Sequence, residues 1–347
     1  MKLNLQRVLA LVSLVCAVAS AACAQYVEKH EGSEAERPDV GFDALKVVAD
    51  IPMPGSASRF DYQSFDPTTG LLYFSHMGAN SIVVFDTRSR KVVANMPGYH
   101  RVTGVLAVPS IHRLFASVGG DGAIATIDTT NLHEINRVKP AKFTDGLAYE
   151  PSTNRVFVTD ESGGADFVID AASGRLIKRI DLGGDDVGNT QYNPLTRTIW
   201  VTVGARREIA EISPQSLSVV NRYPLAGADT PHGLYIDAPR KLAYVAYEGN
   251  NKLAVFDMET KAIVESFDVA HVPDVLAFDS GLERLYVACE EGPMSVFQVN
   301  GRKLTRIIEQ NVGANAHTVS VDSATHLVYV PLRNVNGHPI LRILKPG

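Results

Sequence analysis

Phe65-Asp66-Pro67-Thr68-Thr69-Gly70-Leu71-Leu72-Tyr73-Phe74 decides the fold, because it is the first of seven copies. It reads as a strand end, a polar turn and an apolar strand with an aromatic residue inside it. With Asp66 as the anchor, equivalent turns stand at Val108, Glu150, Asn193, Asp237, Asp279 and Asp322, at steps of 42, 42, 43, 44, 42 and 43 residues. Seven residues after each anchor comes an aromatic: Tyr73, Phe115, Phe157, Trp200, Tyr244, Tyr286 and Tyr329. Seven of 26 aromatic side chains, the single tryptophan included, thus share one phase, which makes that phase a packing position.

Working outward, Val84-Phe85-Asp86, Ile127-Asp128, Ile169-Asp170, Ile212-Ser213 and Phe256-Asp257 each close a further strand. A polar turn and a fourth strand follow, as at Lys91-Val92-Val93-Ala94. The fifth repeat therefore reads as strands over 233–236, 242–247, 252–257 and 262–267. No segment after the leader sustains an apolar period of 3.6 residues, so the chain is all-β. Four-stranded units of this length, repeated without helices, predict a seven-bladed β-propeller. The last repeat ends after 340–344 with no fourth strand, whereas Lys46-Val47-Val48-Ala49-Asp50-Ile51-Pro52 copies the fourth strand of the first repeat. The N-terminal strand is expected to complete the last blade, giving a single domain over residues 42–347.

The 347 residues are 45% hydrophobic and 20% charged, which excludes a polytopic membrane protein and a disordered one. Lys2 and Arg7 precede an apolar run from Val8 to Ala22, and Ala22-Cys23-Ala24 has the small-x-small form read by signal peptidase. Residues 1–24 are read as a cleavable signal peptide, 25–41 as a disordered acidic leader, and the compartment as periplasmic or secreted. A lipid anchor at Cys23 is the competing reading, disfavoured because Ser20 stands where an aliphatic residue is usual. The mature chain keeps one thiol, Cys289, and so no intrachain disulfide. The net charge of −5 falls by two more once Lys2 and Arg7 leave with the signal peptide, which argues against a nucleic-acid partner.

The runs Phe157-Val158-Thr159-Asp160 and Trp200-Val201-Thr202-Val203, with Pro231-His232-Gly233 and the Val-Phe-Asp strand ends, resemble the signature of the YVTN-repeat, YncE-like propellers. The resemblance covers essentially all of 42–347 and implies an exported bacterial seven-bladed propeller, often of no assigned activity. Its motifs are packing and turn residues, informative about fold rather than function.

Candidate chemistry lies where the inner strands begin, at the mouth of the central funnel. Five residues before each anchor stand Asp61, Thr103, Asp145, Gly188, His232, Asp274 and His317. Ring closure brings these together, and Asp61, Asp145, His232, Asp274 and His317 suit one divalent metal ion. Arg59, Arg101, Asp186, Asn189 and His271 are candidate ligand contacts, the two arginines as a clamp for a carboxylate or phosphate. Loops between second and third strands bring His76, Asp160, Arg206, Arg207, Glu248, Glu290, Glu291 and Arg333 to the same face. The competing reading is structural: Asp and His at such positions tie blade to blade through buried hydrogen bonds, and the arginines form inter-blade salt bridges. His112, His133 and His326 are expected on the far surface. No nucleophile elbow, zincin helix, haem-attachment motif or phosphate loop is present. The expected function is a monomeric binding protein or interaction scaffold, taking a small molecule or an envelope protein at its mouth. The alternative is a metal-dependent lyase or hydrolase, with His100 or His271 as acid or base.

Overall fold

Each anchor bends the chain the same way. The Asp66 carboxylate accepts hydrogen bonds from the Thr68 backbone (2.8 Å) and the Thr68 and Thr69 hydroxyls. Glu150 accepts from the backbone of Ser152 (2.9 Å) and Thr153 (2.8 Å), and Asp279 from Gly281 (2.9 Å) and Leu282 (3.1 Å). Four residues past every anchor the backbone is left-handed: Gly70, His112, Asn154, Arg197, Lys241, Glu283 and His326, with φ between 52° and 78°. Only the first is glycine, so six of these turns carry the cost of a left-handed L-residue in exchange for a tight hairpin.

The computed structural model describes residues 44–347; the leader, the signal-peptide cleavage site and Cys23 lie outside them. Within that span the chain forms seven antiparallel sheets of four strands. The fifth blade comprises Pro231–Asp237, Leu242–Tyr247, Lys252–Asp257 and Ala262–Asp268, close to the sequence expectation. Among the described residues there are only short 3₁₀ turns and no α-helix, hence no helix long and apolar enough to cross a membrane.

The ring closes as expected. Lys46–Pro52 pairs antiparallel with His338–Lys345, Lys46 opposite Lys345 and Pro52 opposite Ile340, and completes the seventh blade. Arg342 grips Asp50 with two hydrogen bonds of 2.8 and 2.6 Å, and the Gln310 side chain bonds both backbone groups of Leu45. The seam thus joins residues nearly 300 positions apart, and no terminal blade is left with an open core.

Every aromatic of the repeat phase is buried, and the core is divided among clusters that lie between consecutive blades. Tyr73, Ile82 and Val84 of the first blade pack on Leu114, Ala116 and Ala125 of the second. Trp200 packs edge-on to Phe256, 5.7 Å away, linking fourth and fifth blades. Blades therefore depend on their neighbours for burial, and ring closure gives every blade two neighbours. The outer strands alternate exposed and half-buried residues, as at Lys91–Pro97, because only one face meets a neighbour. Cys289 is fully buried, and burial pushes its thiol up to about 12, which leaves it unreactive.

Candidate functional site

Towards the axis the inner strands converge, and there the small residues of the Pro-x-Gly pattern are required. A Cβ on Gly233 would lie 1.8 Å from the Asp274 carbonyl oxygen, and one on Gly188 2.8 Å from His232 Cα. Adjacent backbones can approach this closely only where no side chain intervenes. Tyr62 occupies the same phase as Gly104, Gly146 and Gly233. Its hydroxyl accepts from Asn189 Nδ2 (2.5 Å) and lies 3.4 Å from Asp145 Oδ2.

Above Tyr62 opens a cavity of about 390 Å³. Its lining includes Arg59, Asp61, Arg101, Asp145, Asp186, His232, Asp274 and His317, eight of the ten side chains singled out from the sequence. The other two lie elsewhere. Asn189 lines a second cavity, about 280 Å³, on the opposite side of Tyr62, because its inward turn is one residue further along the strand. His271 is exposed in a neighbouring groove, where it meets Glu291 at 3.1 Å.

The lining also includes Glu161, Glu248 and Glu290. Glu248 and Glu290 fall among the loop residues expected at this face; Glu161 does not, its neighbour Asp160 having been favoured. Asp160 instead turns away and accepts from the backbone of Lys142 and Phe143. All three glutamates stand eleven residues past an anchor, and that phase is the signal by which they were legible. Their backbone N–H groups donate to the carbonyls of Phe143, Thr230 and Val272, each at 3.0 Å. Thr230 and Val272 have left-handed backbones, φ 47° and 53°, unusual for β-branched residues and a local strain spent on placing Glu248 and Glu290.

The floor of the cavity is a chain of charged groups that crosses blades. His232 Nδ1 lies 3.0 Å from Asp274 Oδ1 and 3.3 Å from Glu248 Oε1. His317 Nδ1 lies 3.0 Å from Asp274 Oδ2 and 3.2 Å from Glu290 Oε1. The far nitrogen of His317 meets Asp61 Oδ1 at 3.0 Å, and that of His232 meets Asp145 Oδ2 at 3.9 Å. Arg59 pairs with Glu290 at 2.8 Å, while the Arg101 guanidinium rests 5.1 Å from the Phe143 ring centre and pairs with no carboxylate among the described residues. Asp61, Asp145, Asp274 and His317 are at most 5% exposed.

Seven carboxylates therefore face two imidazoles and two guanidinium groups. The electrostatic consequences follow from crowding and burial. Burial opposes protonation of both histidines, yet the surrounding carboxylates lift them well above the ordinary value. Asp274 lies between them; burial opposes its ionisation, but the two imidazoles hold it far below the usual carboxylate range. Glu290 is lowered by its hydrogen bond to His317. Burial, reinforced by Asp61, pushes Asp145 well up, burial raises Glu161, and burial brings Glu248 to about 7. Carboxylates thus outnumber the imidazole and guanidinium groups seven to four, with Asp145, Glu161 and Glu248 biased towards their neutral forms.

Elsewhere the inner ring follows the structural reading. Thr103 Oγ1 donates to the Thr144 carbonyl at 2.8 Å, Thr144 Oγ1 to that of Ala123 at 2.9 Å, and Thr202 Oγ1 to that of His232 at 2.6 Å, each joining two blades. His76 stacks on Phe60, and Arg206 pairs with Glu208. Of the histidines expected to decorate the far surface, His326 does more: it bonds the buried Asp279 at 2.9 Å and ties the sixth blade to the seventh.

No family model matches the chain. Over 232 residues it is 22% identical to the uncharacterized protein YncE of Salmonella typhimurium, a match covering 65% of this chain and 53% of that protein, and it matches YncE of Salmonella typhi to the same extent. The aligned stretch thus spans about half the length of these relatives. Among solved structures, Kuenenia stuttgartiensis hydrazine synthase superposes with a TM-score of 0.69 at 15% identity, covering 85% of this chain and 96% of that one. The WD40 repeats of RRP9 superpose with a TM-score of 0.73 at 9% identity, covering 88% of this chain and all of that one. At such identities the structural likeness concerns fold alone. The chain is similar in sequence to YncE, and in architecture it is a seven-bladed β-propeller.

Proposed function

We propose that the chain is an exported binding protein whose funnel mouth takes up a divalent metal ion and, through it, a ligand from the periplasm or the medium. One observation carries this reading. His232, Glu248 and Asp274, and likewise Asp274, Glu290 and His317, each present three donor atoms within 4.8 Å of one another on the floor of a cavity that opens outward. Mixed imidazole and carboxylate donors suit zinc, manganese or iron, and the excess of carboxylates supplies the field that draws a cation in. Tying blades together and binding metal are compatible roles for these residues, since the same inter-blade contacts preorganise the donors.

A second reading, a metal-dependent hydrolase or lyase, is favoured by Arg101. Its uncommitted guanidinium at the rim of the cavity suits an anionic substrate group held over the metal. The metal would there polarise an oxyanion or lower the pKa of a bound water.

Thermal denaturation with and without added zinc or manganese tests the binding reading. An ion present at a hundred times its Kd stabilises the folded state by about 2.7 kcal/mol. For some 300 ordered residues this raises Tm by about 4 °C. The double substitution His232→Ala/His317→Ala should remove the metal-dependent rise. A rise of equal size in the double variant would reject the site. Turnover by the metal-loaded protein, lost in Arg101→Ala with metal content unchanged, would favour the enzymatic reading.

A further inference from the structure

We infer that the cavity floor is a site for two divalent metal ions, bridged by the carboxylate of Asp274. The inference rests on the metal-binding reading and goes beyond it in number, ligand assignment and order of filling.

The two triads are near copies of each other about Asp274. Its Oδ1 lies 3.0 Å from His232 Nδ1 and its Oδ2 lies 3.0 Å from His317 Nδ1, so the two halves draw on different oxygens of one carboxylate. Each half adds its own glutamate, Glu248 Oε1 at 3.3 Å from His232 Nδ1 and Glu290 Oε1 at 3.2 Å from His317 Nδ1. A carboxylate that offers one oxygen to each of two imidazole–glutamate pairs is the donor arrangement of a bridged pair of ions, which in such sites lie roughly 3.5–4 Å apart. A single ion would engage only one of the two imidazole–glutamate pairs that flank Asp274.

The remaining members of the inner ring then have a different task. Asp61 meets the Nε2 of His317, and Asp145 stands behind the Nε2 of His232. A metal-bound imidazole ordinarily donates its other N–H to such a carboxylate, which fixes the tautomer and the ring plane. Asp61 and Asp145 are accordingly positioning residues, while His232, His317, Asp274, Glu248 and Glu290 supply the donor atoms.

The halves are not equal. Arg59 contacts Glu290 Oε1 at 2.8 Å and lies 3.2 Å from His317 Nε2, whereas among the described residues no arginine or lysine meets Glu248. One half already carries a cation beside its glutamate. The first ion therefore enters at His232, Glu248 and Asp274, and the second enters more weakly at His317 and Glu290, against the charge of Arg59.

Titration of the purified, metal-stripped protein with manganese chloride tests this, followed by equilibrium dialysis for stoichiometry and by electron paramagnetic resonance for coupling. Two equivalents of manganese per chain, taken up in two steps and ending in the multiline spectrum of a spin-coupled pair, are expected. Glu248→Gln and Glu290→Gln should each reduce the stoichiometry from two to one and abolish the coupled spectrum. One equivalent in the unmodified protein, with an isolated-ion spectrum, overturns the dinuclear site and leaves the single-metal reading standing. Two equivalents with no coupling and no response to either substitution place the second ion elsewhere and also overturn it. No binding overturns both.

Discussion

Replacing Gly233 by alanine tests how the site is built. An added Cβ would meet the Asp274 carbonyl oxygen at 1.8 Å and Leu276 Cδ1 at 2.8 Å. Reaching even a tight 3.0 Å contact with that oxygen requires roughly 1.2 Å of separation between the inner strands of the fifth and sixth blades. Those strands are pinned by their own ladders, so the misfit cannot relax through a side chain. Overpacking of this kind costs about 3 kcal/mol or more. With about 2 cal/mol/K of unfolding entropy per residue over some 300 residues, Tm falls by about 5 °C.

Gly146 supplies the control, because it holds the same phase in the third blade. Its Cβ would come no closer than 3.2 Å to any atom, the nearest being the Thr190 backbone nitrogen. There the gain from a stiffer unfolded chain, about 0.4–1 kcal/mol, offsets a small adjustment, and Tm should stay within about 2 °C of the parent. Differential scanning calorimetry on the two variants reads the contrast directly. Equal shifts, or a smaller loss at Gly233, would refute the claim that backbone approach between blades dictates this glycine.

Three further outcomes are expected. Burial pushes the Asp166 carboxyl up to about 8, above its unfolded value of about 4, so its neutral form is the folded one and stability is lost as pH rises from about 4 to about 8, by at most ~1.4 kcal/mol per pH unit. Asp166→Asn lacks this slope, so its denaturant midpoint should exceed the parent's at pH 8 and the gap should narrow towards pH 5; parallel profiles would contradict the assignment. Val272 is β-branched with φ 53°, and Val272→Asn should relieve about 1 kcal/mol, read as a Tm higher by 1–2 °C, with a fall in Tm counting against strain at this position. Asp66 and Glu150 are opposed by burial but held below their ordinary values by hydrogen bonds from the turn, so their contribution is complete above about pH 4.5 and is lost as pH falls through their lowered values. Removing both acceptors, as Asp66→Ala and Glu150→Ala, should flatten the acid limb of the stability profile below about pH 4.5.

The ring was legible because its determinants are periodic. An aromatic seven residues past each anchor, and an N-terminal strand copying a missing fourth strand, required no knowledge of distant contacts. The inner ring was legible for the same reason: Asp61, His232, Asp274 and His317 share one phase, and closure alone makes them neighbours. Glu161 is masked in the sequence by Asp160, one position earlier, which offers the same chemistry but whose side chain the turn consumes. Asn189 and His271 were misplaced because a one-residue change of phase on an inner strand points a side chain to the other side of Tyr62 or off the rim. The left-handed turn residues were illegible for a simpler reason: six of the seven are not glycine, and a left-handed histidine or lysine looks like any other. Tyr62 was overlooked because nothing in its own surroundings marks it as the centre of the channel; the mark is the glycine at the same phase in three other blades.

The central claim, that the funnel floor takes up divalent metal, is tested most directly by inductively coupled plasma mass spectrometry on protein purified without chelator and again after incubation with zinc or manganese. The account predicts at least one equivalent of metal per chain, absent from His232→Ala/His317→Ala. Protein that stays metal-free after incubation would contradict it and leave these residues as the ties between blades.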